Sequence, residues 1–229
     1  MPMYFVPEPK TTAGDGLQEA VEILALFCTT LPGARSIDLK TNWDLMNSAH
    51  RRALVSDYIH NAKRFFFCPP CTLFSTLMHT NWERMSSELK MDRMFCGVSL
   101  LEFTMWVLHS AKEDGKPFIF EHPVRASSWT LDYVKQLATG CYVSVFDQCM
   151  FGLRSPSGKP IRKRTAFLTN HRPVHEAFNG RLCEGGCTKP PQAHLVCQGS
   201  EQGIRISRWS EVYPAPLARA VVETLCTPA

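Results

Sequence analysis

Nowhere in these 229 residues does an apolar run approach the roughly 18 that a membrane-crossing helix needs, so no membrane contact is expected. The opening MPMYFVPEPK lacks the charged and apolar regions of a secretory signal. Both absences make the expected location intracellular, and nuclear if the source is eukaryotic. Internal repeats and low-complexity tracts are missing too. Charged residues at 20% and hydrophobic residues at 45% exclude the compositions of disorder, collagen and coiled coil. A net charge of +4 is too small to name a polyanionic partner by itself. One main globular domain with room for a small appendage remains. Its ten cysteines are scattered through strand-like and helix-like segments rather than gathered in a small loop-rich scaffold. Reduced thiols, some reactive or metal-binding, are therefore expected.

Apolar residues at helical spacing predict a helix over Leu17–Cys28, ended by Pro32-Gly33. A short strand over Arg35–Leu39 follows, then a helix over Asn47–Ala62 with Asn47 or Ser48 as its cap. A strand over Arg64–Phe67 leads into Cys68-Pro69-Pro70-Cys71, and a long helix-compatible segment runs from Trp82 to Ala111. Strands are expected over Pro117–Glu121, Tyr142–Phe146 and Arg164–Thr169, and helices over Trp129–Ala138 and Pro214–Leu225. Strands alternating with helices imply a mostly parallel sheet with helices on both faces. From His171 to Gly203 the composition turns to Cys, His, Gly and Pro without periodicity, so this stretch is expected to be an insertion.

Chemistry-bearing residues stand at the strand ends. The aromatic run Phe65-Phe66-Phe67 stops at two prolines, holding a thiol at the carboxyl end of a strand, where open α/β sheets gather their ligands. Phe118 to Glu121 ends in a carboxylate before His122-Pro123. Arg154, Lys159, Arg162, Lys163, Arg164 and Arg172 follow one another with no acidic residue between, a run suited to phosphate contacts or to a solvated loop. Cys68 and Cys71 also form a Cys-x-x-Cys, which elsewhere marks redox or zinc chemistry.

In that order, four segments resemble the cytosine-5 DNA methyltransferases. Pro70-Cys71-Thr72-Leu73-Phe74-Ser75 resembles that family's Pro-Cys-Gln-x-Phe-Ser loop, and Phe120-Glu121-His122-Pro123 its Glu-Asn-Val element. Phe146 to Gly152, followed by Arg162-Lys163-Arg164, resembles its Tyr-Gly-Val-Pro-Gln and Arg-x-Arg. Val212 to Val221 resembles its closing Val-Pro-Pro-x-Leu-Ala helix. The chain resembles methyltransferase-like segments of retroelement polyproteins more closely than it does a bacterial modification enzyme.

The resemblance implies a Rossmann-like methyltransferase core over residues 1–170 and 204–229, interrupted by a small Cys/His-rich insertion over 171–203. It implies that Cys71 attacks carbon 6 of a flipped cytosine, that Glu121 protonates or hydrogen-bonds ring nitrogen 3, and that Arg164, or Arg162, orients the base and lowers the thiol pKa. DNA is the implied partner, with Ser75, Lys159, Lys163 and Arg172 on the nucleic acid. S-adenosylmethionine is the implied cofactor, with Asp38, Leu39, Trp43, Pro70 and Pro123 around it. The segment Ile37 to Asp44 nevertheless has none of the glycines of the family's cofactor loop. This leaves open a module that keeps the base pocket without the cofactor, and, further off, a zinc or thiol redox protein using Cys68 and Cys71. In the insertion, Cys183, Cys187, His194 and Cys197 have spacings compatible with a tetrahedral zinc site.

Overall fold

The computed structural model describes residues 2–4, 35–37, 41–188 and 193–228. The helix expected over Leu17–Cys28, and Asp38 and Leu39, lie outside the described residues. Six strands form one sheet: β1 (Pro2–Tyr4), β2 (Arg35–Ser36), β3 (Arg64–Phe67), β4 (Phe118–Pro123), β5 (Tyr142–Asp147) and β6 (Arg164–Thr169). Their spatial order is β2-β1-β3-β4-β6-β5. β2 pairs with β1, β1 with β3, and β3 with β4, all in parallel. β6 lies antiparallel to both β4 and β5, and these two pairings are the longest in the sheet.

The fold is thus mixed α/β, and the sheet is mixed rather than mostly parallel. The cause lies between Asp147 and Arg164. A parallel return needs a crossover of a dozen or more residues that carries the chain back along the sheet, usually a helix. Here the connection holds only a 3₁₀ turn over Gln148–Phe151 and the tight bend around Gly158, so the chain re-enters the sheet at the end it left.

β3 and β4 read as near-continuous Phe and Ile because both their faces are covered. On one face, α1 (Ser48–Leu54), α3 (Ser87–Glu113) and α4 (Asp132–Ala138) bury Leu54, Leu101, Leu108, Val134 and Leu137 against Phe65, Phe67, Phe118 and Phe120. On the other, α5 (Arg172–Phe178) and α7 (Ala215–Cys226) bury Val174, Phe178, Leu217 and Val221 against Phe66, Ile119, Phe146 and Phe167. Each such side chain contributes about 1.5–3 kcal/mol relative to leaving it in water. α5 begins the stretch expected to be an insertion, and Phe178 ties it to the core through Phe146 at 5.2 Å and Phe167 at 5.0 Å.

Local signals explain the helix bounds. Asn47 Oδ1 accepts the Ala49 N–H at 2.9 Å and starts α1, which continues into a π-helical turn over Val55–Ile59. The long helix expected from Trp82 divides into α2 (Thr76–Trp82) and α3, because Ser86 caps a new start by accepting the Leu89 N–H at 3.2 Å. α3 has 27 residues and is long and apolar enough to cross a membrane by length and composition alone, although no uninterrupted apolar run showed it. Its Leu101, Met105 and Leu108 pack on the sheet. Gly97 lets it approach closely: a Cβ there would stand 2.8 Å from Leu73 Cδ2 and 2.9 Å from its Cβ. Leu73 belongs to the turn just after Cys71, so this contact helps set the position of the thiol loop. Beyond α5, a hairpin of β7 (Ser200–Glu201) and β8 (Ile204–Arg205) turns at Gln202-Gly203 with positive φ at both residues, and the short α6 (Ile206–Trp209) follows.

Candidate functional site

Side chains alternate across a strand, and this sorts the residues at the ends of β3 and β4. On β3, Phe65 and Phe67 face α3, while Phe66 and the next residue, Cys68, face α7. On β4, Phe118, Phe120 and His122 share the α3 side, while Ile119 and Glu121 share the α7 side with Cys68. Pro69 and Pro70 then end the ladder, and Cys71 turns the chain at φ −85°, ψ 0° into a 3₁₀ turn over Thr72–Phe74.

His122 anchors this loop from the far side. It is fully buried, with its ring 4.7 Å from that of Phe120. A carbonyl oxygen can only accept, so Nε2 carries the hydrogen and donates to Pro69 O at 3.1 Å, leaving Nδ1 to accept from Ser128 Oγ at 2.6 Å. Burial pushes the imidazole pKa down to about 3, so the ring is neutral.

On the α7 side, Glu121, Tyr213, Cys68, Cys71 and Lys163 are close enough to shift one another's proton affinity. Glu121 is 5% exposed, and its Oε1 has no hydrogen-bond partner. Burial raises its pKa against the pull of Lys163 and of the Tyr213 hydroxyl. That hydroxyl lies within hydrogen-bonding reach of both Glu121 and Cys68. Burial, then Glu121, push the Cys71 thiol up to about 11, while Lys163 draws it back. Burial would lower Lys163, but Glu121, Cys71, Cys197 and Glu211 together raise it, so it stays charged. Its Nζ donates to Ser210 O at 2.9 Å and stands 5.7 Å from the centre of the Tyr213 ring. A second buried acceptor is unpartnered on this face: Gln148 donates through Nε2 to Thr165 Oγ1 at 2.9 Å, and its Oε1 accepts nothing. Thr165 pairs with Pro123, one pleat beyond Glu121.

The cation beside the thiol and carboxyl is therefore Lys163, where Arg164 or Arg162 was expected. Glu121 pairs with Phe167, so only residues of Phe167's parity on β6 and its lead-in reach that face. Lys163 has this parity; Arg162 and Arg164 do not. Arg164 is turned to Asp147 in a two-pronged pair, Nε to Oδ1 and Nη2 to Oδ2, both at 2.9 Å. Arg162 is exposed.

The residues expected on nucleic acid do not form one patch. Lys163 is the half-buried cation just described. Ser75 caps α2, accepting the Met78 N–H at 3.2 Å and donating to Thr72 O at 3.0 Å. Lys159 is exposed on the bend before β6. Arg172 pairs with Glu176 at 2.6 Å at the opposite end of β6, roughly 17 Å along the strand. Of the expected cofactor residues, Trp43 packs edge-on to Tyr58 at 5.6 Å and His50 at 6.0 Å. Pro70 is half-buried in the thiol loop, and Pro123 ends β4, where its carbonyl accepts the Trp129 Nε1 hydrogen at 2.8 Å.

A second cluster lies beside this site. One ligand atom each from Cys149, Cys183, Cys187 and His194 lie within 4.8 Å of one another. His194 Nε2 is 3.2 Å from Cys183 Sγ and 3.0 Å from Cys187 Sγ. A tetrahedral zinc site with ordinary bond lengths has edges of about 3.6 Å, so this Cys3His group is compatible with zinc. Three of the expected ligands are present, and the fourth is Cys149 rather than Cys197. Cys149 sits in the 3₁₀ turn that follows β5, whereas Cys197 packs half-buried against Leu153, Ile161 and Ile206.

The surroundings of the cluster are compatible with a metal site. Burial raises all three thiols; hydrogen bonds from Gly185 and Cys187 then bring Cys183 below its ordinary value, while Cys149 and Cys187 stay above theirs. Thiols packed so closely do not ionise together without a cation among them. The loop Cys183-Glu184-Gly185-Gly186-Cys187 closes through Gly185, at φ +104°, whose N–H donates to Cys183 Sγ at 3.4 Å. Asp147 Oδ2 accepts the Cys183 N–H at 2.9 Å, and the Arg154 guanidinium donates to Cys149 O and Cys187 O, both at 3.2 Å.

Comparisons with models of known protein families, with curated proteins and with solved structures find no match.

Proposed function

We propose that the α7 side of β3 and β4 is a cytosine pocket of the cytosine-5 methyltransferase kind, with Cys71 as nucleophile and Glu121 as proton carrier. One observation carries it: a thiol, a buried carboxyl with an unpartnered oxygen and a half-buried ammonium converge at the carboxyl ends of neighbouring parallel strands. The order β2-β1-β3 also reverses direction at β1, and open α/β sheets bind ligands outside the carboxyl ends of strands at such a point.

In this reading Glu121 takes the thiol proton and delivers it to ring nitrogen 3 as the Cys71 sulfur bonds to carbon 6. The electron pair of the ring double bond moves to carbon 5, the position that becomes nucleophilic. Lys163 holds the passing negative charge on sulfur and carboxylate. The unpartnered Oε1 of Glu121 and Oε1 of Gln148 are acceptors for the base's N–H groups. S-adenosylmethionine, when bound, would supply the methyl group. The chain that follows β1 lies outside the described residues.

A second reading, a base-binding module without methyl transfer, is favoured by the Cys71 thiol standing at about 11. Both readings require an extrahelical cytosine. Fluorescence anisotropy with a duplex whose single cytosine faces an abasic site, against the same duplex fully paired, tests them together. Tighter binding of the unpaired cytosine is expected, because the unpairing cost is already met. Glu121→Ala should abolish the preference. Equal affinities, or the same preference for an unpaired thymine, would refute the pocket.

A further inference from the structure

We propose that the Cys149, Cys183, Cys187 and His194 group is a structural zinc centre that positions Lys163 in the Cys71 and Glu121 pocket. The basis is how the chain from Pro160 to Lys163 is held. On one side it bonds to the neighbour of His194: Arg162 N–H donates to Leu195 O at 3.0 Å, and Leu195 N–H donates to Pro160 O at 2.8 Å. Ile161 and Leu195 form a parallel bridge there. On the other side it bonds to the turn that carries Cys149: Gln148 N–H donates to Lys163 O at 3.0 Å, and Ile161 N–H donates to Leu153 O at 3.1 Å. The segment delivering the ammonium is thus clamped between two ligand-bearing segments, while the Cys183 to Cys187 loop is tied to the Cys149 turn through Arg154 and Asp147 and meets His194 through its two sulfurs.

The protein groups alone give this clamp little to stand on. Its buried apolar cluster is Leu153, Ile161 and Ile206, with Leu195, Cys197 and Trp209 partly covering it. A core of that size does not order loops by itself, and a metal joining three of them supplies what it lacks. Lys163 meets Ser210 O only if residues 160–163 keep their course. The metal would therefore act at a distance, by fixing the backbone from which the ammonium reaches the thiol. This inference stands whether or not Cys71 attacks a base.

The test reads the thiol rather than catalysis. Cys71 alkylation by iodoacetamide, followed by peptide mass spectrometry across the alkaline range, is compared in zinc-loaded protein, chelator-treated protein and Lys163→Met. Chelation and Lys163→Met should each slow alkylation by about tenfold below the thiol pKa, the equivalent of roughly one pKa unit. In Lys163→Met, zinc should have no further effect. Unchanged or faster alkylation on chelation would overturn the proposal.

A second measurement serves even where the metal-free chain unfolds. Coupling is reciprocal, so Lys163→Met should weaken zinc binding several-fold in competition with a chromophoric chelator. Equal zinc affinity in wild type and Lys163→Met would overturn the proposal, and failure of the base-binding experiment would leave both measurements unaffected.

Discussion

Acidifying the solution from about pH 7 to about pH 5 charges His122 in the unfolded chain but not in the folded one. The Ser128 hydroxyl and Pro69 carbonyl could both accept hydrogens from an imidazolium, so hydrogen bonding does not forbid the charge. Burial does, and Lys163 adds repulsion, which places the folded pKa at about 3 against an ordinary 6.5. The folded pKa is depressed, so the unfolded state binds more protons throughout that interval and stability falls with pH. At about pH 5 the loss is ~2 kcal/mol, and below pH 3 it saturates near ~5 kcal/mol.

The assay is urea unfolding at both pH values in wild type and His122→Phe. Phenylalanine suits the aromatic surroundings of Phe74, Phe120 and Trp129, and it leaves Pro69 O and Ser128 Oγ without the ring as partner. The variant starts lower, by about 1–3 kcal/mol. Its pH dependence is what matters, because every other titrating group is common to both chains. Wild type should lose ~2 kcal/mol more than the variant between the two pH values. Parallel losses in the two proteins would mean that His122 is not held neutral, and the account of how the thiol loop is anchored would fail.

Three further outcomes follow from the packing and the proposed metal centre. Cobalt added to metal-free protein should give the sulfur charge-transfer absorption of a thiolate-rich tetrahedral site; Cys197→Ser keeps it and Cys149→Ser loses part of it, and the reverse result would restore Cys197 as the ligand. Gly97→Val forces the α3 side chain into Leu73 and should destabilise by about 1–3 kcal/mol in denaturant unfolding, with faster alkylation of Cys71 as its loop loosens. Asp147→Asn weakens the Arg164 pair and the bond from Cys183 N–H, so it should cost about 1–3 kcal/mol and lower zinc affinity; unchanged zinc affinity would show that Asp147 does not orient the Cys183 loop.

Much of the scaffold can be read from local pattern. β3 and β6 have the bounds that their apolar runs imply, and Asn47 caps α1 as its side chain suggests. The antiparallel course of β6 is harder to see, because it depends on which end of the sheet the chain re-enters. The missing helix between Phe146 and Arg164 was its only signal. The site divides in the same way. Cys71 and Glu121 stand at strand ends, where sequence alone can place them. Choosing Lys163 over its arginine neighbours needs the register with Phe167, since one residue of shift exchanges the faces. The Cys183 to His194 ligands share a short stretch that spacing can suggest. Cys149 lies far upstream and joins them only because β5 ends beside their loop, a long-range contact that leaves no mark on local spacing.

A covalent trap tests the central claim most directly. The protein is incubated with a 5-fluorocytosine oligonucleotide and S-adenosylmethionine, denatured, and examined by gel and peptide mass spectrometry. Fluorine at carbon 5 blocks the proton loss that would release the enzyme, so a nucleophilic Cys71 stays bonded to carbon 6. The account predicts an adduct on the peptide containing Cys71, absent in Cys71→Ser and strongly reduced in Glu121→Gln. No adduct in wild type, or an equal one in Cys71→Ser, would contradict it.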